Sequence, residues 1–330
     1  MTRLTVALGA YDRTLPLMAG LVAIDGADAS FESPPFETLF ARAFDEEAYD
    51  VAELSFSNFL ILSAEGRCPY VGLPVFPSRA FRHSAVYVRT DRGIHGPRDL
   101  AGRRVAVREF SMTAALVARG ILADEYGLDP ASIDWVYGPA DDEDDPPLVR
   151  VRPAGIRLDR APAGRNLSDM LALGEVDAMV AYKPPPAFLR GDAPVRRLFV
   201  DYRAVEADYA RRTGRFPIMH LVGIRKALAR AAPSLCLRVC QALAASQDFA
   251  LARAQQLQAP FSVDPWGAAA VADAGALMPA AFWRSGLEAN RRTLADLCRW
   301  SHAQGLVSEL PTPETLFAEP VRTWDASPAA

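Results

Sequence analysis

No run of 18 uninterrupted apolar residues occurs in this chain of 330, so no membrane span and no membrane partner are expected. A basic excess is missing too. The 36 Lys and Arg stand against 40 Asp and Glu, a net charge of −4, which argues against nucleic acid as a partner. Cysteine is scarce, and Cys68, Cys236, Cys240 and Cys298 have neither CxxC nor zinc-type spacing. They read as buried small hydrophobes, with Cys236 and Cys240 on one helix face. Neither GxGxxG nor GxxxxGKT is present, so a phosphate-rich cofactor is not indicated. The absence of GxSxG and HExxH speaks against a serine-hydrolase elbow and a zinc-protease helix. No basic segment with a long apolar run and cleavage site opens the chain; Met1-Thr2-Arg3 leads straight into a strand-like segment. A cytoplasmic protein is the expectation.

Half of the residues are apolar and 23% are charged, enough for a sizeable core. The length suggests two domains. Strand and helix patterns alternate over the first 225 residues, which predicts α/β layering. Leu4–Leu8, Asp50–Leu54, Arg104–Val107, Ser132–Val136 and Val176–Ala181 read as strands. Ser55–Asn58 reads as a loop, and Leu148–Val151 with Gly155–Leu158 as a hairpin. A helix is predicted from Met112 to Tyr126, capped by Ser111 and closed by Gly127; another runs from Leu167 to near Gly174. Ala140–Pro147, with five acidic residues and two prolines, lacks the glycine turn of a calcium loop and reads as a solvated loop. From Lys226 the pattern becomes helical, with helices near 233–257, 265–275 and 286–304 and Pro233 at a helix start.

The densest chemistry lies in Ser78-Arg79-Ala80-Phe81-Arg82-His83-Ser84. Two guanidinium forks suit a carboxylate, and a histidine moves protons near neutral pH. The flanking apolar runs, Val71–Pro77 and Ala85–Val88, imply a cleft rather than an open surface. In a regular strand Arg82 and His83 point opposite ways, so both serve one site only if the chain bends there. Three further constellations stand out. Gly9-Ala10-Tyr11-Asp12-Arg13-Thr14 follows the first strand, where α/β sheets bind ligands, although Asp12 or Thr14 equally suits a helix cap. Arg108-Glu109-Phe110-Ser111-Met112-Thr113 joins a strand to a helix start, which attracts anions. His220 lies inside the apolar run Phe216–Ile224, where a plain core histidine is the competing reading. His95, in a turn, and His302, on a late helix, read as structural. A dispersed metal site of His83, His220 and Glu53 or Glu109 stays open, because metal ligands need only be near in space.

Taken in order, these segments resemble the 4,5-dihydroxyphthalate decarboxylase family. The resemblance is carried by Tyr11–Thr14, Tyr49–Ser55, Pro74–His83, Asp99–Val105, Ser111–Ala114, Arg119–Leu122, Phe216–Leu221, Glu288–Arg291 and Gln304–Leu306, and covers nearly the whole chain. It implies a type II periplasmic-binding-protein-like α/β fold, with two lobes, a ligand cleft between them and C-terminal helices. The lobes are expected at residues 1–88 with 205–330 and at residues 89–204. Tyr182-Lys183-Pro184-Pro185 stands where an arginine-bearing segment is expected, and Ser55–Asn58 departs as well.

The implied activity is cofactor-independent decarboxylation of a hydroxylated aromatic, phthalate-like acid, with no resident metal. Direct loss of CO2 would leave an aryl carbanion, so the ring carbon must be protonated first, with a phenol pushing electrons in. The expected proton-handling residues are His83, His220, Asp12, Glu53 and Glu109. The expected substrate contacts are Arg13, Arg79, Arg82, Ser57, Ser111, Met112, Thr113, Tyr182 and Lys183, with Arg79 and Arg82 anchoring the retained carboxylate. The partner is a small aromatic carboxylate; a homo-oligomer stays open. Competing readings are a solute-binding protein for a small carboxylate, cytoplasmic or exported, and a biosynthetic lyase or isomerase acting on another aromatic or enolic acid.

Overall fold

The computed structural model describes residues 1–141, 148–256, 264–278 and 282–326. Its strands are β1 (Thr2–Ala7), β2 (Ala27–Glu32), β3 (Val51–Ser55), β4 (Tyr70–Arg79), β5 (Val86–Arg89), β6 (Arg104–Val107), β7 (Asp134–Tyr137), β8 (Arg157–Arg160), β9 (Ala178–Val180), β10 (Val195–Arg197) and β11 (Ile218–Arg225). They form two sheets, each in its own compact unit.

The first unit comprises Met1–Arg79, Tyr209–Ala295 and Pro311–Ala330. Its sheet runs β2-β1-β3-β11-β4, with β1 parallel to β2 and β3, and β11 antiparallel to β3 and β4. Leu4, Val6, Val51, Leu73 and Val222 supply the buried face of this sheet. The helix Pro233–Gln256 packs Leu235, Cys236, Val239, Cys240 and Leu243 into the same core. That helical spacing explains the buried cysteines.

The second unit comprises Ala80–Asp208 and Asp296–Leu310. Its sheet runs β10-β5-β9-β6-β7-β8; β9, β6, β7 and β8 are parallel, and β5 is antiparallel to β9 and β10. Tyr87, Ala106, Val136, Leu167, Met170 and Met179 form a core cluster there. The helix Thr113–Tyr126 carries Gly120, where a Cβ would lie 2.3 Å from the Trp300 ring. Only glycine permits that approach. Arg299 and Trp300 both bond Asp124, and Gln304 bonds Arg119, which ties residues 296–310 to this unit. The boundary thus differs from the expected 1–88 and 205–330 division. β5 pairs within the second sheet, so the chain leaves the first unit at Arg79 and re-enters it at Tyr209.

Several local expectations need correction. Ser55–Asn58 is no loop: the helix Phe56–Ala64 starts straight after β3, and its run Phe56–Ile61 is almost wholly buried. Ser111 does not cap the helix Thr113–Tyr126; Met112 occupies the cap, and Ser111 turns toward Glu109 and Val149. The 148–158 hairpin is absent, because Leu148 and Val149 give their N–H groups to Glu109 while Arg157–Arg160 pairs in parallel with β7. Of the acidic loop, residues 142–147 lie outside the described residues. The glycine ends hold: Gly127 and Gly174 close their helices at φ of 67° and 77°. Among the described residues, no helix is long and apolar enough to cross a membrane.

Candidate active site

In the first unit β3 lies between β1 and β11, so their side chains converge. Glu53 pairs with Val222, and Ser55 with His220. Glu53 and His220 are therefore diagonal neighbours on one face of the sheet, within side-chain reach. Glu53 has no solvent exposure. Its Oε1 lies 2.6 Å from His220 Nδ1 and accepts a 2.8 Å bond from the Tyr11 hydroxyl, while Oε2 accepts one of 2.8 Å from Gly9 N–H. A buried carboxylate without such donors would be strongly disfavoured. Gly9 is required by space: a Cβ there would lie 2.6 Å from the Phe36 ring and 2.7 Å from Tyr11. Thr14 fixes the same loop, its Oγ1 donating to Gly9 O and accepting from Tyr11 N–H.

His220 sits where the β11–β4 register breaks. It pairs with Ser78, while Val222 pairs with Leu73. β4 is an edge strand carrying Pro74 and Pro77, which have no N–H to donate to the ladder. Such irregularities re-aim side chains next to functional sites. The imidazole packs against Phe36 and Phe40, with ring centroids at 5.1 and 5.0 Å. Its side chain is 17% exposed, and Nε2 has no hydrogen-bond partner among the described residues. With Nδ1 tied to Glu53, Nε2 is the nitrogen left to exchange a proton. Burial, helped by the charge of Glu53, pushes the Tyr11 phenol far above its ordinary range; Ser78 and Arg13 oppose that only in part. Tyr11 therefore stays protonated as a donor to Glu53.

The guanidinium of Arg13 packs against two rings, 4.0 Å from the centroid of Tyr11 and 4.4 Å from that of Trp283. Its Nε donates to Pro77 O and Nη1 to Asp12. Asp12 itself is 78% exposed. Arg79, expected as an anchor, is enclosed: Nη1 donates to Phe216 O, and Nη2 to Arg284 O and Asn290 Oδ1. Burial pulls its pKa down to about 9, and it remains a cation at neutral pH. Ser57 is fully buried within the helix Phe56–Ala64.

The other expected residues belong to the second unit. The chain does bend, with His83–Ala85 forming a short 3-10 turn. His83 is buried edge-on to Phe199 and Tyr126. Arg82 is pulled down to about 10 by burial, which the charge of Glu206 opposes, and its Nη1 reaches Tyr182 O. Glu109 is buried and accepts from Ser111, Leu148 and Val149. Ser111 Oγ lies 2.6 Å from both Glu109 Oε1 and Val149 O, with one proton to share. Thr113 is buried beside Met112. Tyr182 and Lys183 line a pocket with Arg108 and Asp141, and Lys183 pairs with Asp141 at 3.5 Å. Among the described residues no group of three or more His, Cys, Asp or Glu side chains clusters as metal ligands.

Sequence reading passed over Tyr11 as a site residue, and Phe36, Phe40 and Trp283 entirely. Tyr11 has a signal, a phenol two residues past a strand-end glycine. Trp283 has none, since its partner is 270 positions away.

No family model matches the chain. The 4,5-dihydroxyphthalate decarboxylase of Comamonas testosteroni is 40% identical over 316 residues, covering 96% of this chain and 96% of the relative. The 4,5-dihydroxyphthalate decarboxylase of Pseudomonas putida is 39% identical over 209 residues, 63% of this chain and 81% of the relative. The periplasmic aliphatic sulphonate binding protein SsuA of Escherichia coli superimposes with a TM-score of 0.54 at 15% identity, covering 99% of this chain and 94% of its own. That likeness shows the fold, of the type II periplasmic-binding-protein kind. The length and depth of the sequence match show the family: the chain belongs to the 4,5-dihydroxyphthalate decarboxylases and is an enzyme of the carboxy-lyase class.

Proposed function

We propose that this carboxy-lyase removes one carboxyl group from a hydroxylated phthalate-type diacid, in the cytoplasm, without a cofactor, by protonating the ring carbon that bears it. The observation that carries the reading is the Tyr11–Glu53–His220 network with Nε2 left open. The names of the relatives make 4,5-dihydroxyphthalate the first substrate to test.

The reaction begins with a phenolate para to the departing carboxylate. Its electrons move into the ring as His220 Nε2–H delivers a proton to the carboxyl-bearing carbon. A C–H bond forms and the ring becomes a dienone. The C–C bond then breaks, CO2 leaves with both oxygens, and the bonding pair restores the aromatic ring and the phenolate. The net change is one proton consumed and one CO2 released. No external electron sink is needed, because the substrate's own oxygen serves. Glu53 fixes the imidazole orientation, Tyr11 and Gly9 N–H hold Glu53, and Phe36 and Phe40 limit water around the donor ring.

The test is CO2 release from 4,5-dihydroxyphthalate in D2O. One deuterium is expected at the vacated ring position, and the deuterated product should form about 10²–10⁴-fold more slowly with the His220→Gln variant. Tight binding of hydroxylated phthalates with no CO2 from any of them would sink the reading in favour of a solute-binding protein.

A further inference from the structure

We infer that Arg13 is the residue that grips the retained carboxylate of the substrate, and that Trp283 positions it. This rests on the decarboxylase reading and names the anchor it requires. A guanidinium on the departing carboxylate would stabilise the ground state and slow the reaction, so the anchor must hold the group that stays.

Arg79 cannot fill that place, because both of its Nη atoms are turned inward to two carbonyls and Asn290, and the side chain, Nε included, is enclosed. Arg13 is arranged differently. Nε is fixed on Pro77 O and Nη1 on Asp12, while Nη2 has no partner among the described residues. The side chain keeps 18% exposure. Tyr11 and Trp283 cover the planar cation, at 4.0 and 4.4 Å from their ring centroids. Aromatic cover keeps water from the face of the cation and leaves its Nη2 edge, which can receive a carboxylate oxygen.

Trp283 is itself immobilised. Gln247 Nε2 donates to its carbonyl at 2.8 Å, and the Phe216 ring packs against the indole at 5.3 Å. Tyr11 joins the anchor to the proton donor, since its ring carries Arg13 and its hydroxyl bonds the carboxylate that holds His220. One side chain thus spaces the two groups that the substrate must meet together.

Steady-state kinetics with 4,5-dihydroxyphthalate, and calorimetric binding of phthalate, test this. Phthalate has both carboxylates but no hydroxyl to drive turnover, so its affinity reads the anchor alone. Arg13→Gln is expected to raise KM and weaken phthalate binding by roughly 10–100-fold, the usual worth of a charge-assisted contact. Arg13→Lys should fall between it and wild type. Trp283→Leu should raise KM by roughly 3–10-fold with kcat within about threefold, and Trp283→Phe should restore most of the loss. A purely structural indole would instead lower stability without this split between KM and kcat. Unchanged KM and phthalate affinity in Arg13→Gln overturns the anchor. Loss of kcat alone overturns it as well. Arg13-dependent phthalate binding by a wild-type protein that releases no CO2 supports the anchor and overturns the reaction.

Discussion

Glu53 and Glu109 are the same residue type at nearly the same depth, 0% and 6% exposed, one in each unit. Their partners differ. Glu53 binds a phenol, an imidazole and one backbone N–H, and the imidazole keeps a nitrogen open. Glu109 binds a hydroxyl and two backbone N–H groups, which pins the segment after residue 147. The first carboxylate joins two side chains able to carry protons; the second holds the backbone at Leu148 and Val149. Burial of an acid therefore does not by itself distinguish the two; the partners each one collects do.

The sharpest break of this comparison is kinetic. His220→Gln and Glu53→Gln should cut kcat by about 10²–10⁴-fold, the usual worth of a placed acid or base. Glu109→Gln should leave kcat of the folded enzyme within a few-fold; equal losses in the two glutamate variants would erase the distinction. In urea unfolding Glu109→Gln should nevertheless cost about 1–3 kcal/mol, because two N–H groups lose a charged acceptor.

Arg79→Met extends the contrast to cations. Two carbonyls and Asn290 Oδ1 lose their donor, so stability should drop by about 1–3 kcal/mol with KM unchanged within twofold. A large rise in KM would restore Arg79 as a substrate contact.

The smallest effect is alkaline. Burial raises the phenols of Tyr11 and Tyr70 above their ordinary 10.0. Above about pH 10 the unfolded chain sheds these protons while the native state keeps them, so stability should fall as pH rises. In Tyr11→Phe the slope should be shallower, as read by thermal midpoints from pH 9 to 11.

Much of the local structure is legible in the sequence because it depends on neighbours along the chain. The run Leu4–Leu8 and the glycines at 127 and 174 announce a strand and two helix ends without any distant partner. The site is legible only in part. Glu53 and His220 stand in strand patterns that mark them as odd polar residues among apolar ones. Ser111 and Arg79 look equally chemical, yet their donors are absorbed by Glu109 and Val149, and by Asn290 and two carbonyls, groups up to 211 positions away.

By itself the sequence determined many of the strands and helix ends, that half of its residues are apolar and, through ordered motifs along its length, the resemblance to the family. Periodicity and turn residues act over a few positions, so these features needed no three-dimensional partner. Tertiary structure alone decided which polar residues meet. The strand order set Glu53 beside His220, and the irregular pairing of β4 around Pro74 and Pro77 altered the facing there. Chain packing then brought Trp283 against Arg13. Side-chain chemistry depends on those neighbours, and a residue's letter does not carry them.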